Sequence, residues 1–159
     1  MPSDPDSPHV VAPPPLIYVA ALGVGLLVNW AAPRPLLSSG LRYWPLAALG
    51  VTLVALGVGI AGWGRTLMAR AGTSVNPFQP TTALVTAGPF RFSRNPLYVG
   101  LTLAYLGGTL LTNSVWVLAL LVPVLVVMHY GVVRREERYL EAKFGEAYRA
   151  YRSRVRRYI

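Results

Sequence analysis

Acidic side chains are scarce in this chain. Only six of its 159 residues are Asp or Glu, and after Asp6 they are confined to Glu136, Glu137, Glu141 and Glu146. Two of them adjoin in Arg134-Arg135-Glu136-Glu137-Arg138, directly behind a long uncharged stretch. Adjacent acids where a helix leaves a membrane suit a cationic ligand group such as an amine. The same run also reads as a solvated helical face, its acids offset by Arg134 and Arg138. A second constellation, Gly88-Pro89-Phe90-Arg91-Phe92-Ser93-Arg94-Asn95-Pro96-Leu97-Tyr98-Val99-Gly100, sits where a polar loop enters an apolar span. Arg94 lies close to the hydrocarbon edge, where a charge needs a partner or access to water. Asn95-Pro96 can start a helix, since Asn caps and Pro is favoured at the first helical position. That puts free backbone N–H groups and the positive end of a helix dipole beside Arg94, a setting that attracts an anion. A snorkelling arginine beside an ordinary cap explains the same residues. The third constellation is the polar, proline-bearing stretch Thr73–Thr86, which reads either as a ligand-lining loop or as a connector.

Other chemistries are excluded or disfavoured. With no cysteine there is no disulfide, thiolate nucleophile or thiolate metal site. His9 and His129 lie far apart in sequence, so no metal cluster is expected. The net charge of +9 does not indicate nucleic acid, because nine of the fifteen Lys and Arg follow residue 133, directly behind an apolar span. Such a segment serves membrane topology or anionic lipid.

The elements that must position these residues are membrane helices. The chain is 53% hydrophobic and 13% charged, against about 25% charged in soluble domains. Residues 1–15, with Pro2, Pro5, Pro8 and Pro13-Pro14-Pro15, read as a disordered tail ahead of a single domain at 16–159. Apolar spans are expected at about 16–32 and 45–64, the latter dotted with Gly50, Gly57, Gly59, Gly62 and Gly64, which permit close helix packing. Residues 65–95 form the longest polar stretch. Pro96–Val133 carries no charge and suits two spans, 97–112 and 114–133, turning at Thr112-Asn113-Ser114, with Pro123 a candidate kink. From Arg134 onward, Leu140, Phe144, Tyr148, Tyr151, Val155 and Tyr158 recur at helical spacing, so an amphipathic helix, broken at Gly145, is expected to lie on the membrane or fold back on the loop. The fold expected is all-α and integral to the membrane: four transmembrane helices plus a cytoplasmic C-terminal amphipathic helix. Thirteen basic residues in the 65–95 loop and the tail face only Arg34 and Arg42 on the other side, which sets both termini in the cytoplasm.

Taken in order, Leu84-Val85-Thr86, Gly88-Pro89-Phe90-Arg91, Arg94-Asn95-Pro96, Tyr98 and Gly100 resemble the signature of the isoprenylcysteine carboxyl methyltransferase family, which groups with the membrane phospholipid N-methyltransferases. Asn95 stands where the family usually has histidine, a variation associated with bacterial members. Glu136-Glu137, Leu140, Phe144-Gly145, Tyr148 and Tyr151 resemble the family's closing motif. The likeness covers about residues 65–157. It implies an S-adenosylmethionine-dependent methyltransferase of a bacterial inner membrane, its cofactor held at the cytoplasmic face. Carried over residue by residue, the cofactor site comprises Ala83, Leu84, Val85, Phe90, Asn95, Pro96, Leu97, Tyr98, Gly100, Glu136 and Glu137, with Gln79 a looser candidate. Arg94, Asn95 and Tyr98 are the candidates at the reacting centre. Eukaryotic members use an arginine one turn before the acids for the substrate carboxylate. Val132 stands there, leaving Arg134 and Arg135 as substitutes.

The residue types suit methyl transfer, which demands in-line placement of nucleophile and methyl. Phe90 and Tyr98 suit a sulfonium, Glu136 or Glu137 an ammonium, and Arg94 or the helix N-terminus a carboxylate. The acceptor class stays open between a prenylcysteine-type carboxylate, a phospholipid amine, and a small lipophilic thiol or acid. The competing readings are a non-catalytic membrane scaffold and a nicotinamide-dependent reductase of the sterol-reductase type. The partners expected are the bilayer and a lipophilic or lipidated substrate, not nucleic acid.

Overall fold

The computed structural model describes residues 7–37 and 43–159, so the first six residues and Arg42 lie outside the described residues. Within them the regular structure is helical, with one isolated antiparallel bridge between Pro35 and Ser114. Helix α1 spans Pro14–Ala31, α2 Tyr43–Arg70, α3 Pro96–Thr112 and α4 Val115–Val127. Helix α4 runs on through a π-helical segment, Met128–Val133, into α5, Arg134–Phe144; α6 is Glu146–Arg154. A 3₁₀ turn at Gly88–Arg91 precedes α3.

Three helical runs, Pro14–Ala31, Trp44–Arg70 and Val115–Phe144, are long and apolar enough to cross a membrane. Helix α3 is apolar but has 17 residues. At 1.5 Å per residue it is about 26 Å long, a little under the ~30 Å of a hydrocarbon core. The outer surface is apolar: Val19, Leu27 and Trp30 of α1, Val51, Val58 and Trp63 of α2, and Val122 and Val126 of α4 are exposed. Tyrosine and threonine hydroxyls are satisfied inside instead. Tyr18 and Thr102 share a 2.7 Å hydrogen bond, and Tyr105 donates to the Val117 carbonyl at 2.8 Å.

Helices α2 and α3 pack antiparallel through two glycine pairs, Gly57 with Gly100 and Gly50 with Gly107. A Cβ on Gly100 would lie 2.5 Å from the Gly57 carbonyl oxygen, and one on Gly107 2.5 Å from that of Gly50. Each pair lies seven residues from the next on both helices, so the contact recurs every two turns. Gly59 and Gly62 have nothing near them and take no part. On the other flank α1 meets α4, where Gly25 sits against Val117.

Several boundaries differ from expectation. Helix α2 continues past residue 64 to Arg70 and stops only at Gly72, whose φ of +70° allows a Schellman closure: Thr73 N–H donates to the Met68 carbonyl and Gly72 N–H to that of Ala69. The loop therefore begins at Ala71. Pro123 sits inside α4 without ending it, and the irregularity comes a turn later as the π segment. There the Gly131 carbonyl accepts the Val11 N–H at 3.2 Å, and Val10 is buried against the bundle. Residues 7–13, expected within a disordered tail, are thus packed on the π segment before α1 begins. The turn falls at Asn113, left-handed at φ 46°, with the Ser114 hydroxyl capping α4. Gly145, at φ 52°, separates α5 from α6.

Candidate active site

The site assembles at the end of the bundle where α2 ends, α3 begins and α5 and α6 fold back. A cavity there is lined by Met68 of α2, Ser74–Pro77, Thr81 and Ala83–Val85 of the loop, Phe90 of the 3₁₀ turn, Arg94–Tyr98, Glu136, Tyr139 and Leu140 of α5, and Tyr148 and Tyr151 of α6, with Pro8 at its edge. The loop keeps its shape by local bonds. Ser74 donates to Gln79 at 2.6 Å, Thr82 N–H donates to Thr73 Oγ1 at 3.0 Å, and Thr81 N–H donates to the Tyr139 phenol at 3.1 Å.

The two adjacent glutamates separate completely. Glu136 lines the cavity and accepts a 2.6 Å hydrogen bond from the Tyr98 hydroxyl. No cation pairs with it among the described residues. Glu137 is buried and faces away from the cavity. Its carboxylate takes the Arg157 guanidinium through two atoms, at 2.8 and 3.0 Å, and Arg94 at 3.1 Å. Consecutive helical positions point about 100° apart, and here only Glu136 lines the cavity.

Arg94 is 8% exposed at its side chain. One end of its guanidinium is committed to Glu137 and another lies 3.5 Å from the Tyr148 phenol. Its Nε–H is buried without a partner among the described residues. Asn95 occupies the cap position of α3 but makes no side-chain cap bond. Its amide donates instead to the Arg157 carbonyl at 2.9 Å. The Tyr151 hydroxyl donates to the Phe90 carbonyl at 2.7 Å, pinning α6 to the motif loop. Burial pushes the Tyr148 and Tyr151 phenols up from the ordinary tyrosine value, so both stay neutral.

The structure thus gathers Ala83, Leu84, Val85, Phe90, Arg94, Asn95, Pro96, Leu97, Tyr98 and Glu136 around one cavity. Five candidates fall elsewhere. Gly100 is spent on the α2–α3 contact, Gln79 is exposed in its turn, and Glu137 is an ion-pair anchor. Arg135 donates to the His9 carbonyl at 2.8 Å, and Arg134 lies 5.6 Å over the Tyr130 ring. Met68, Tyr139 and Arg157 were not singled out by sequence reasoning. Met68 carries no local signal within an apolar helix, and Arg157 is one basic residue among nine in the tail. Tyr139 adjoins the acidic pair, three positions past Glu136, and helical spacing alone puts both on one face.

The residues fit an amino-acid-bearing, cationic cofactor such as S-adenosylmethionine. Glu136, without a cationic partner among the described residues, and Arg94 both line the cavity, and the rest of its wall mixes aromatic and apolar side chains with the polar Ser74, Asn76, Thr81 and Asn95. Among the described residues no group of three or more His, Cys, Asp or Glu is gathered as a metal site would need.

Comparison with known proteins places this arrangement. The cobalt-zinc-cadmium resistance protein CzcN of Cupriavidus metallidurans is 36% identical over 101 residues, which is 64% of this chain and 45% of CzcN. The chain therefore spans less than half of that relative's length. The nickel-cobalt-cadmium resistance protein NccN of Alcaligenes xylosoxydans xylosoxydans is 30% identical over 147 residues, covering 79% of this chain and 68% of NccN. An uncharacterized protein of Haemophilus influenzae is 42% identical over 64 residues, 40% of this chain and its own full length. No solved structure matches. The model of the phospholipid methyltransferase family matches residues 46–147, a stretch that holds most of α2, the motif loop, α3, α4 and the acidic pair of α5. With well over half of its length matched, this chain belongs to the phospholipid methyltransferase family.

Proposed function

We propose that the protein is a membrane methyltransferase that uses S-adenosylmethionine to methylate a lipophilic acceptor. The carrying observation is Glu136, a carboxylate in a cavity formed by the motif loop, held by Tyr98 and without a cationic partner among the described residues. A ligand ammonium completes it as a charge-assisted hydrogen bond. Arg94, which lines the same cavity, supplies the complementary cationic group. Phe90, Tyr98 and Tyr148 put aromatic rings, suited to a cation, into the lining, and Ala83, Leu84 and Val85 give it an apolar stretch for a base. When bound, the cofactor supplies a methyl group activated on a sulfonium. The chain's own work is to bind, align and exclude water, which strengthens every charge contact within the cavity. Tyr98 fixes the Glu136 carboxylate, and Tyr151 fixes the loop that carries Phe90.

The acceptor reading favours a phospholipid-type amine over a prenylcysteine carboxylate. Val132 is fully buried where the eukaryotic enzymes have arginine, and neither Arg134 nor Arg135 lines the cavity. Among the described residues, no basic side chain beyond Arg94 lines it to hold an acceptor carboxylate. We place α3 as a fourth membrane crossing, because it runs from the site end of the bundle to the opposite end. There Val115 N–H bonds the Arg34 carbonyl and Trp116 bonds the Ala32 carbonyl. The basic loop and tail pack together, and by the positive-inside rule this supports our reading of a site on the cytoplasmic face of a bacterial inner membrane.

Calorimetric titration of detergent-purified protein with S-adenosylmethionine and S-adenosylhomocysteine tests the reading. Saturable 1:1 binding that Glu136→Ala weakens about tenfold or more is expected for loss of one charge-assisted contact. Absence of binding to folded wild-type protein overturns it in favour of a scaffold or a nicotinamide enzyme.

A further inference from the structure

The chain leaves α6 at Val155, whose backbone is extended at φ −120° and ψ 132°, and residues 155–157 run back across the motif loop. The Arg156 carbonyl accepts the Arg94 backbone N–H at 2.9 Å. The Arg157 carbonyl accepts the Ser93 hydroxyl at 3.3 Å and the Asn95 amide at 2.9 Å. Three successive motif residues are therefore tied to two successive carbonyls of one strap. The Arg157 side chain then crosses to α5 and grips both oxygens of Glu137, the carboxylate that also holds Arg94. One residue thus holds two walls of the cavity, the motif loop through its main chain and α5 through its guanidinium. It lies ten positions beyond the end of the family match at residue 147.

We propose that Arg157 is a positioning residue for the ligand cavity. By clamping Glu137 against Arg94 it fixes the rotation of α5 that presents Glu136, and it fixes the main chain from Ser93 to Asn95. Only a planar two-pronged donor spans both carboxylate oxygens, so lysine replaces the charge but not the fork. Asn95 belongs to the same device: its amide supplies the donor that the Arg157 carbonyl needs. The ligand named here rests on the cofactor reading above, whereas the clamp rests on its own contacts.

The test compares full-length wild type, Arg157→Lys, Arg157→Ala, Glu137→Gln and the Arg157→Ala/Glu137→Gln double variant in detergent. S-adenosylhomocysteine affinity is read by calorimetry, and backbone hydrogen exchange is read over residues 93–98 and over the α2–α3 contact. Arg157→Ala is expected to weaken binding about tenfold, Arg157→Lys less, and the double variant no more than the stronger single, as for residues acting through one interaction. Exchange is expected to rise at 93–98 and stay constant across α2–α3. Unchanged exchange at 93–98, a fully additive double variant, or a lowered unfolding temperature with intact binding each overturns the clamp. If Arg157→Ala does not fold, Arg157→Lys carries the comparison. If wild type binds no S-adenosylhomocysteine, the cofactor reading falls, and the exchange difference alone decides the clamp.

Discussion

Glu136 and Glu137 adjoin in the chain and differ entirely in environment. Glu136 meets the cavity and one phenol; Glu137 meets two guanidinium groups in a buried pocket. Removing one partner of a buried ion pair leaves the other charge stranded, at a cost of about 3–5 kcal/mol. Glu137→Ala is therefore expected to lower the unfolding temperature sharply, because Arg94 is buried beside it. Glu136→Gln strands no cation, so it should leave unfolding nearly unchanged while cofactor affinity falls. Calorimetry and thermal unfolding on the same preparations check both. A reversed pattern, with Glu136 governing stability and Glu137 governing affinity, would refute the assignment. Asn95 offers a third test. Asn95→Asp sets an acceptor against the Arg157 carbonyl and should cost about 1–3 kcal/mol, as an unsatisfied buried polar group does.

At the scale of elements, the α2–α3 contact is set by where side chains are missing. Gly57 and Gly100 meet backbone to backbone, so a methyl at either must push the helices apart. Gly100→Ala is expected to destabilise by about 1–3 kcal/mol, the usual penalty for overpacking. Gly59→Ala and Gly62→Ala meet open space and should be neutral, or slightly stabilising through helix propensity. Unfolding in detergent with increasing dodecyl sulfate separates these outcomes. The sequence displays all five glycines of α2 alike; which of them touch α3 depends on the partner helix. The resemblance that put Gly100 among ligand residues carried a motif position without its environment. Likewise the run from Arg134 reads as one helix with a weak point. Gly145 makes it two, and this lets Tyr148 and Tyr151 reach Phe90 and Arg94.

At the scale of the whole molecule, the polar ends are built differently. One holds the loop, the tail and the cavity; the other holds the bridge between Pro35 and Ser114 and a short turn. The absence of cysteine makes single-cysteine labelling a direct test of orientation. Thr86→Cys, ahead of α3, should react with an impermeant maleimide only from the cytoplasmic side, and Val115→Cys, just beyond α3 and exposed, only from the opposite side. Labelling of both from one side would remove the fourth crossing.

Hydropathy, charge bias and turn residues are local properties, so the chain by itself determined that it is helical, apolar on long stretches, turned at Asn113-Ser114 and basic beside its motifs. Residue type and spacing also brought ten of the candidate positions to one cavity, because a loop entering a helix and the segment beyond a helical hairpin meet at the same end. Only the tertiary structure decided which glutamate lines the cavity and which is ion-paired, that Asn95 serves a strap rather than a cap, that Gly100 is packing, and that Arg157 is the clamp. Those assignments rest on pairings between residues 20 to 62 positions apart. Nothing local distinguishes one arginine of the tail from the others; only the folded chain decides which one meets a buried carboxylate.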